Sequence, residues 1–174
     1  AAIQNRMAWK CCLESSADVW NITERDRHLI SMPMSHAAWY TAGVALIRGG
    51  TVSIMRNWDP DETLDRIEAE GITTVNMIPT MLGDLLRAFE ARPRDVSSLR
   101  LLTLAGSVLP LATYHRARAA LGEVIGNVYG LTEAAGPVTY LLPGEMAAGK
   151  HDTVGRPGAT IELAILDEAG RETD

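Results

Sequence analysis

The chain has 174 residues, 47% of them apolar and 22% charged, with a formal net charge of −6 at pH 7. These values suit one globular domain with a sizeable core and exclude intrinsic disorder. The acidic balance argues against a non-specific nucleic-acid binder, which needs a basic face to displace condensed counterions, and no apolar run reaches the roughly 20 residues of a membrane-spanning helix.

The N-terminal stretch has helical character and holds the only two cysteines, Cys11 and Cys12. Adjacent cysteines are poorly placed for an unstrained disulfide or a structural zinc site, so reduced core thiols are expected. The start of the chain lacks the charged-then-apolar order of a secretory leader, and the protein is read as cytoplasmic. From His28 onward one theme repeats: a short β-prone run, then a longer segment of helical periodicity. The runs cover residues 28–32, 51–55, 72–78, 99–105 and 124–129. Their spacing leaves room for a helix and two short loops, the mark of βα units feeding a mainly parallel sheet.

The intervening helices carry their own punctuation. Asp59-Pro60-Asp61-Glu62 supplies an N-cap, a proline at the first helical position and a capping-box glutamate, and Gly71 follows as a stop. Leu82, Leu85, Leu86 and Phe89 stand at i, i+3, i+4 and i+7, so one apolar stripe faces the sheet until Pro93 ends the helix. Pro110 opens a third helix in which Tyr114, Ala117 and Leu121 share the buried face, His115, Arg116 and Arg118 form the solvated side, and Gly122 terminates the run. After Glu133 the pattern changes to a β-prone run at 138–142, a polar loop at 143–152 and another strand candidate at 160–166, giving a hairpin or an edge extension. The expected fold is α/β: a mainly parallel sheet flanked by helices, built from Rossmann-like βα units, with a short C-terminal β extension. A single domain covers residues 1–174. Because the chain opens on Ala1 and stops just after the turn signal Asp167-Glu168-Ala169-Gly170, it is expected to be a piece of a longer protein.

In an open α/β sheet, ligands gather outside the carboxyl ends of the strands. Three segments fall there: Pro33-Met34-Ser35-His36-Ala37-Ala38-Trp39, Ala105-Gly106-Ser107-Val108-Leu109-Pro110 and Tyr129-Gly130-Leu131-Thr132-Glu133. The Tyr129 ring could stack on a nucleobase while Gly130 admits a ligand to the backbone, or Tyr129 could be a core residue at a strand end. Thr132 could donate its hydroxyl to a phosphate and Glu133 could hold Mg²⁺, a hard cation that prefers oxygen ligands. Equally, Thr132 could cap a helix and Glu133 complement its dipole, a reading compatible with phosphate binding at the same place. His36 beside Ser35 lacks an acidic orienter, and Ser107 lacks the Gly-x-Ser-x-Gly elbow, so a hydrolase ranks last. No Gly-x-Gly-x-x-Gly follows a strand, and Gly149-Lys150 lacks the flanking residues of a P-loop, which excludes the common dinucleotide and P-loop folds.

Tyr129-Gly130-Leu131-Thr132-Glu133 resembles the Tyr-Gly-x-Thr-Glu motif of the AMP-forming adenylate synthetases, the superfamily of acyl-CoA synthetases, peptide-synthetase adenylation domains and luciferases. Further matches fall in order along nearly the whole chain. Pro33-Met34-Ser35-His36 resembles the Pro-x-x-His segment of acyl-CoA synthetases, and Val75-Asn76-Met77-Ile78-Pro79-Thr80 the Val-Pro-Thr strand-to-helix turn. Leu104-Ala105-Gly106-Ser107-Val108-Leu109 is similar to the Gly-Gly-Ala-Pro-Leu loop, with Ala105 and Val108 departing from its glycine and proline, and Gly155-Arg156-Pro157 is similar to the Val-Gly-x-Pro segment.

The resemblance implies an ATP-dependent ligase that joins a carboxylic acid to AMP and passes the acyl group to a thiol, with CoA favoured by the Pro-x-x-His segment. It implies that Tyr129 stacks on adenine, Thr132 contacts the phosphate, Glu133 binds Mg²⁺ and Gly130 lies near the substrate carboxylate. Ala105, Gly106 and Ser107 would line the adenine and acyl side, and His36, Ala38 and Trp39 would shape an apolar pocket for a fatty or aryl acid. By the same resemblance the Lys-Gly phosphate loop, the ribose-binding aspartate and the catalytic lysine lie outside these residues, so the chain alone is expected to be inactive. An isolated piece would expose surfaces normally covered, and a homo-oligomer of it would follow from that exposure. The competing class is a non-catalytic α/β binding or assembly module on the same scaffold.

Overall fold

The structure, a computed structural model, describes residues 3–35 and 37–173. Helix α1 (Arg6–Val19) starts at Asn5, whose side chain accepts from the Ala8 amide at 2.7 Å. There follow β1 (Arg27–Ile30), α2 (Ala38–Leu46), β2 (Thr51–Ile54), α3 (Pro60–Glu70), β3 (Thr74–Met77), α4 (Pro79–Ala91), β4 (Leu101–Leu104), α5 (Leu111–Leu121) and β5 (Ile125–Leu131). A single 3₁₀ turn (Thr132–Ala134) then reverses the chain into β6 (Gly136–Leu141), α6 (Pro143–Ala147), β7 (Arg156–Pro157) and a hairpin of β8 (Ile165–Leu166) with β9 (Glu172–Thr173).

Strands β1 to β5 are mutually parallel and β6 and β7 add antiparallel, giving the order β2-β1-β3-β4-β5-β6-β7. The chain steps from β1 to β2 in one direction and returns past β1 to place β3 on its other side. The strand order therefore reverses at β1 and β3, and in sheets of this kind ligands bind outside the carboxyl ends of the strands at such a point. Both faces of the sheet are covered. One core gathers Leu64 and Ile67 of α3, Leu82, Leu85 and Leu86 of α4 and Tyr114 and Ala117 of α5 against Val75, Met77, Leu102, Leu104 and Ile125. On the opposite face Cys12, Tyr40 and Val44 of α1 and α2 pack on Leu101, Val128 and Tyr140. Double coverage explains why β3 and β4 are buried at every position, their polar Thr74, Asn76 and Thr103 included.

The helix punctuation acts largely as the sequence predicts. Asp59 accepts from the Glu62 amide at 2.9 Å, and Gly71 takes a left-handed φ of 63° that only glycine adopts cheaply. The Glu62 carboxylate does not turn back to complete the box; it receives the Arg66 guanidinium at 2.9 Å. Beyond Pro93 the Arg94 guanidinium, almost fully buried, joins Asp61 and Asp65 of α3 to the carbonyls of Ala88 and Arg92, pinning the end of α4. At the amino edge of the sheet, the buried Asp26 carboxylate takes two hydrogen bonds of 2.7 Å from Arg100 and one of 2.7 Å from Thr73.

Three expectations need correction. Residues 143–152 are not simply a loop: they begin with α6, because Pro143 suits a first helical turn, Glu145 accepts from the Leu142 amide at 3.3 Å and Met146 is anchored in the core. The strand expected at 160–166 is confined to Ile165 and Leu166 and pairs with β9 rather than the main sheet, since Asp167 organises a tight turn through its bonds to the Ala169 and Arg171 amides. The extension of the main sheet is instead β7, at Arg156 and Pro157. Cys11 is half-buried and Cys12 buried; neither forms a disulfide.

Candidate functional site

Parallel β1, β3, β4 and β5 lie side by side, so the segments that follow them share one edge. Ala105 continues the β4 ladder, its amide donating to the Met77 carbonyl at 3.2 Å, and Gly106 turns with φ 88° beside the Ile78 side chain. Beyond that turn Ser107 and Val108 are exposed while Leu109 is buried. Strand β5 runs three residues past Val128, so Tyr129, Gly130 and Leu131 are still in the ladder opposite β6, with a bulge between Tyr129 and Gly130. Tyr129 is 51% exposed, which removes its reading as a core residue. Gly130, Thr132 and Glu133 are exposed beside it.

The helix-capping reading of Thr132 also fails. Only three residues of 3₁₀ turn follow β5; Leu131 occupies the capping position, and Ala135 closes the turn in a left-handed conformation with φ 67°. Gly136 and Pro137 then send the chain back as β6 instead of into a helix. Among the described residues no cation pairs with Glu133, and no group of three or more His, Cys, Asp or Glu side chains is assembled for a metal. Glu133 is therefore a free carboxylate on an exposed turn, and a magnesium ion there would need most of its ligands from phosphate and water, its usual arrangement.

Gly130 is explained by its neighbours. An added Cβ would lie 2.5 Å from the Gly136 carbonyl oxygen and 2.7 Å from Pro137 Cα, both backbone atoms of β6. Gly130→Ala is expected to lower the stability of the protein by about 2 to 3 kcal/mol through overpacking at the bulge. Thermal unfolding checks this; an unchanged midpoint would mean that the β5–β6 pair yields freely.

The first segment is described in part. His36 lies outside the described residues. Ala38 is buried with Ile30 and Ala42 between α2 and the sheet, whereas Trp39, 38% exposed, lies against Trp9 of α1 with ring centroids 4.0 Å apart. One feature escapes a reading of motifs. Gln4, just before α1, donates its side-chain amide to the Thr132 carbonyl, so the N-terminal segment touches the turn. Ile78 and Thr80, already part of the Val-Pro-Thr-like motif, are exposed after β3, and their place beside the point where the strand order reverses becomes visible only once the order of strands is known.

The sequence model of the AMP-binding enzyme family matches residues 2–174. The chain belongs to that family. The chain is 32% identical over 154 residues to the medium/long-chain-fatty-acid–CoA ligase FadD8 of Mycobacterium tuberculosis, across 87% of the chain and 27% of that protein. It is 34% identical over 154 residues to the 2-succinylbenzoate–CoA ligase of Bacillus pumilus, across 88% of the chain and 31% of that protein. Among solved structures, O-succinylbenzoate coenzyme A synthetase from Bacillus subtilis in complex with ATP and magnesium ion superposes with a TM-score of 0.83 at 26% identity, covering 98% of this chain and 35% of that one. The chain thus spans about a third of the length of the proteins it matches. No described helix is long and apolar enough to cross a membrane.

Proposed function

We propose that these residues form one wall of the ATP site in an AMP-forming acid–CoA ligase whose acid is fatty or aromatic. The observation that carries the reading is the exposed set Tyr129, Thr132 and Glu133 at the carboxyl edge of a parallel sheet, in a chain matched throughout by the AMP-binding family. Similarity to two CoA ligases, one for fatty acids and one for succinylbenzoate, supports CoA as the acceptor and leaves both acid classes within the proposal.

In this reading the Tyr129 ring stacks on adenine, an exposed π face meeting a planar base. The Thr132 hydroxyl donates to a phosphate oxygen, and Glu133 holds Mg²⁺, which when bound offsets phosphate charge. Ala105, Gly106 and Ser107 line the adenine and acyl side, Gly130 lies near the substrate carboxylate, and His36 and Trp39 shape the acyl pocket, to which the buried Ala38 contributes only by seating α2 on the sheet. A carboxylate oxygen bonds to the α-phosphorus as the bond to pyrophosphate breaks; the CoA thiolate then takes the acyl carbon and AMP leaves. Donors aimed at the phosphates stabilise the charge that develops in the first step. That residues 1–174 are one α/β subdomain, a part of a larger adenylate-forming N-terminal domain, with a place in fatty-acid metabolism and a cytoplasmic setting, belongs to the same proposal.

The test is ATP–pyrophosphate exchange by the full-length protein with a panel of linear, branched and aromatic acids. Exchange dependent on one acid class, followed by thioester formation with CoA, is expected; the 174-residue piece by itself is expected to give none. Absence of exchange with every acid would leave a binding module on this scaffold, and exchange by the isolated piece would show that its site is self-sufficient.

A further inference from the structure

Beneath the Thr132–Ala134 turn lies a buried polar chain that no part of the proposed chemistry uses. Tyr140 of β6, Ser16 of α1 and Tyr40 of α2 are all fully or nearly fully buried. Tyr40 donates its hydroxyl to the Cys12 carbonyl at 2.7 Å, which leaves its oxygen to accept from Ser16 at 2.6 Å. Ser16 in turn accepts from Tyr140 at 2.5 Å. Every proton then has one direction, from β6 through α1 to α2 and back to the α1 backbone. Burial pushes the pKa of both phenols up, so they stay protonated as donors at neutral pH.

The same side chains hold the first residue of β6. A Cβ on Gly136 would lie 3.0 Å from the Tyr40 ring and 3.2 Å from Cys12 Sγ, so the return of the turn rests directly on these two groups. Cys12 Sγ also reaches the Pro137 carbonyl at 3.7 Å. Gln4 at the other end of the same segment bonds the Thr132 carbonyl. The turn bearing Thr132 and Glu133 is therefore gripped from below and from the side by α1 and α2. Its own hydrogen bonding is slight: the Ala135 amide donates to Thr132 at 3.1 Å.

We propose that the Tyr140–Ser16–Tyr40 hydroxyl chain is a positioning device: it clamps β6 to α1 and α2, and through Gly136 it fixes the turn that presents Thr132 and Glu133. This rests on the reading of those two residues as phosphate- and magnesium-facing. Tyr140 and Ser16 touch no substrate in it; they act through the turn. A buried chain with one proton direction is cooperative, so removing either end loosens the whole.

Tyr140→Phe deletes one oxygen and no ring, and Ser16→Ala deletes the central link while keeping both phenols. In the full-length protein each variant is expected to raise the Mg²⁺ concentration for half-maximal ATP–pyrophosphate exchange and the KM for ATP by about fivefold, with the KM for the acid within about twofold. Hydrogen exchange at the Ala135 amide is expected to quicken in both, while β3 and β4 amides keep their protection. A lower melting temperature with unchanged Mg²⁺ and ATP dependence, and unchanged Ala135 exchange, would overturn the proposal and leave a packing role only. Wild-type protein without exchange activity but with selective Ala135 loosening in the variants would sink the functional reading and leave the clamp standing.

Discussion

Glu133→Gln in the full-length protein is expected to cut the rate of acyl-adenylate formation on the order of 100-fold, the scale on which one preorganised charge-stabilising group acts. The melting temperature should not move. Glu133 is exposed, makes no ion pair among the described residues and sits on a turn held by other groups, so nothing in the fold depends on its charge. The substitution keeps the shape, removes the negative charge and replaces one carboxylate oxygen by an NH₂ group. Loss of rate should therefore come with a higher Mg²⁺ requirement, and raising Mg²⁺ should recover part of it. Wild-type rates in this variant would remove the proposed metal role, and a rate loss unaffected by Mg²⁺ would assign Glu133 some other task.

The βα rhythm was legible because each of its signals is local. Asp59 and Gly71 bound α3 through their own backbone geometry, and the stripe Leu82, Leu85 and Leu86 is fully buried as its spacing requires. Elements fixed by partners far along the chain were not. Helix α6 depends on Met146 finding the core, and β7 exists only because β6 offers an edge at Thr139 and Tyr140. The candidate site divides along the same line. The exposed, chemistry-bearing cluster at Tyr129, Thr132 and Glu133 could be picked out by residue type. Why Gly130 must lack a side chain could not, since the atoms it would strike belong to Gly136 and Pro137 across a turn. The helix-cap alternative for Thr132 was credible from sequence because its refutation lies in the same reversal. Ser16, Tyr40 and Tyr140 are distant in sequence, and three ordinary hydroxyl residues carry no local mark of being one chain.

Between pH 6.5 and 4 the folded protein is expected to lose about 3 kcal/mol of stability through one residue, His28. Burial pushes its imidazole down to about 4, more than the nearby Asp26 charge and the bond with Thr74 raise it. Nδ1 lies 2.9 Å from the Thr74 hydroxyl, while Nε2 is buried without a partner beside a cavity of about 10 Å³, lined by Trp20, Thr41, Val44 and Leu101. In that pH window the unfolded chain binds a proton at this histidine and the folded chain does not. Stability must therefore rise with pH and be fully present only above the unfolded value. Asp26 extends the effect to stronger acid. Its burial opposes ionisation, but the Arg100, Thr73 and Thr23 hydrogen bonds prevail and hold it at about 2, so its share is present above the ordinary value of 3.8 and is lost as pH falls through about 2. Urea unfolding from pH 7.5 to 2 covers both windows and measures them separately. In His28→Leu the Thr74 hydroxyl is left unpaired, so absolute stability falls by about 1 to 3 kcal/mol while the slope between pH 6.5 and 4 flattens. The slope carries the test, because a cavity or a lost hydrogen bond shifts the level at every pH alike; equal slopes in the wild type and the variant would place the acid sensitivity elsewhere.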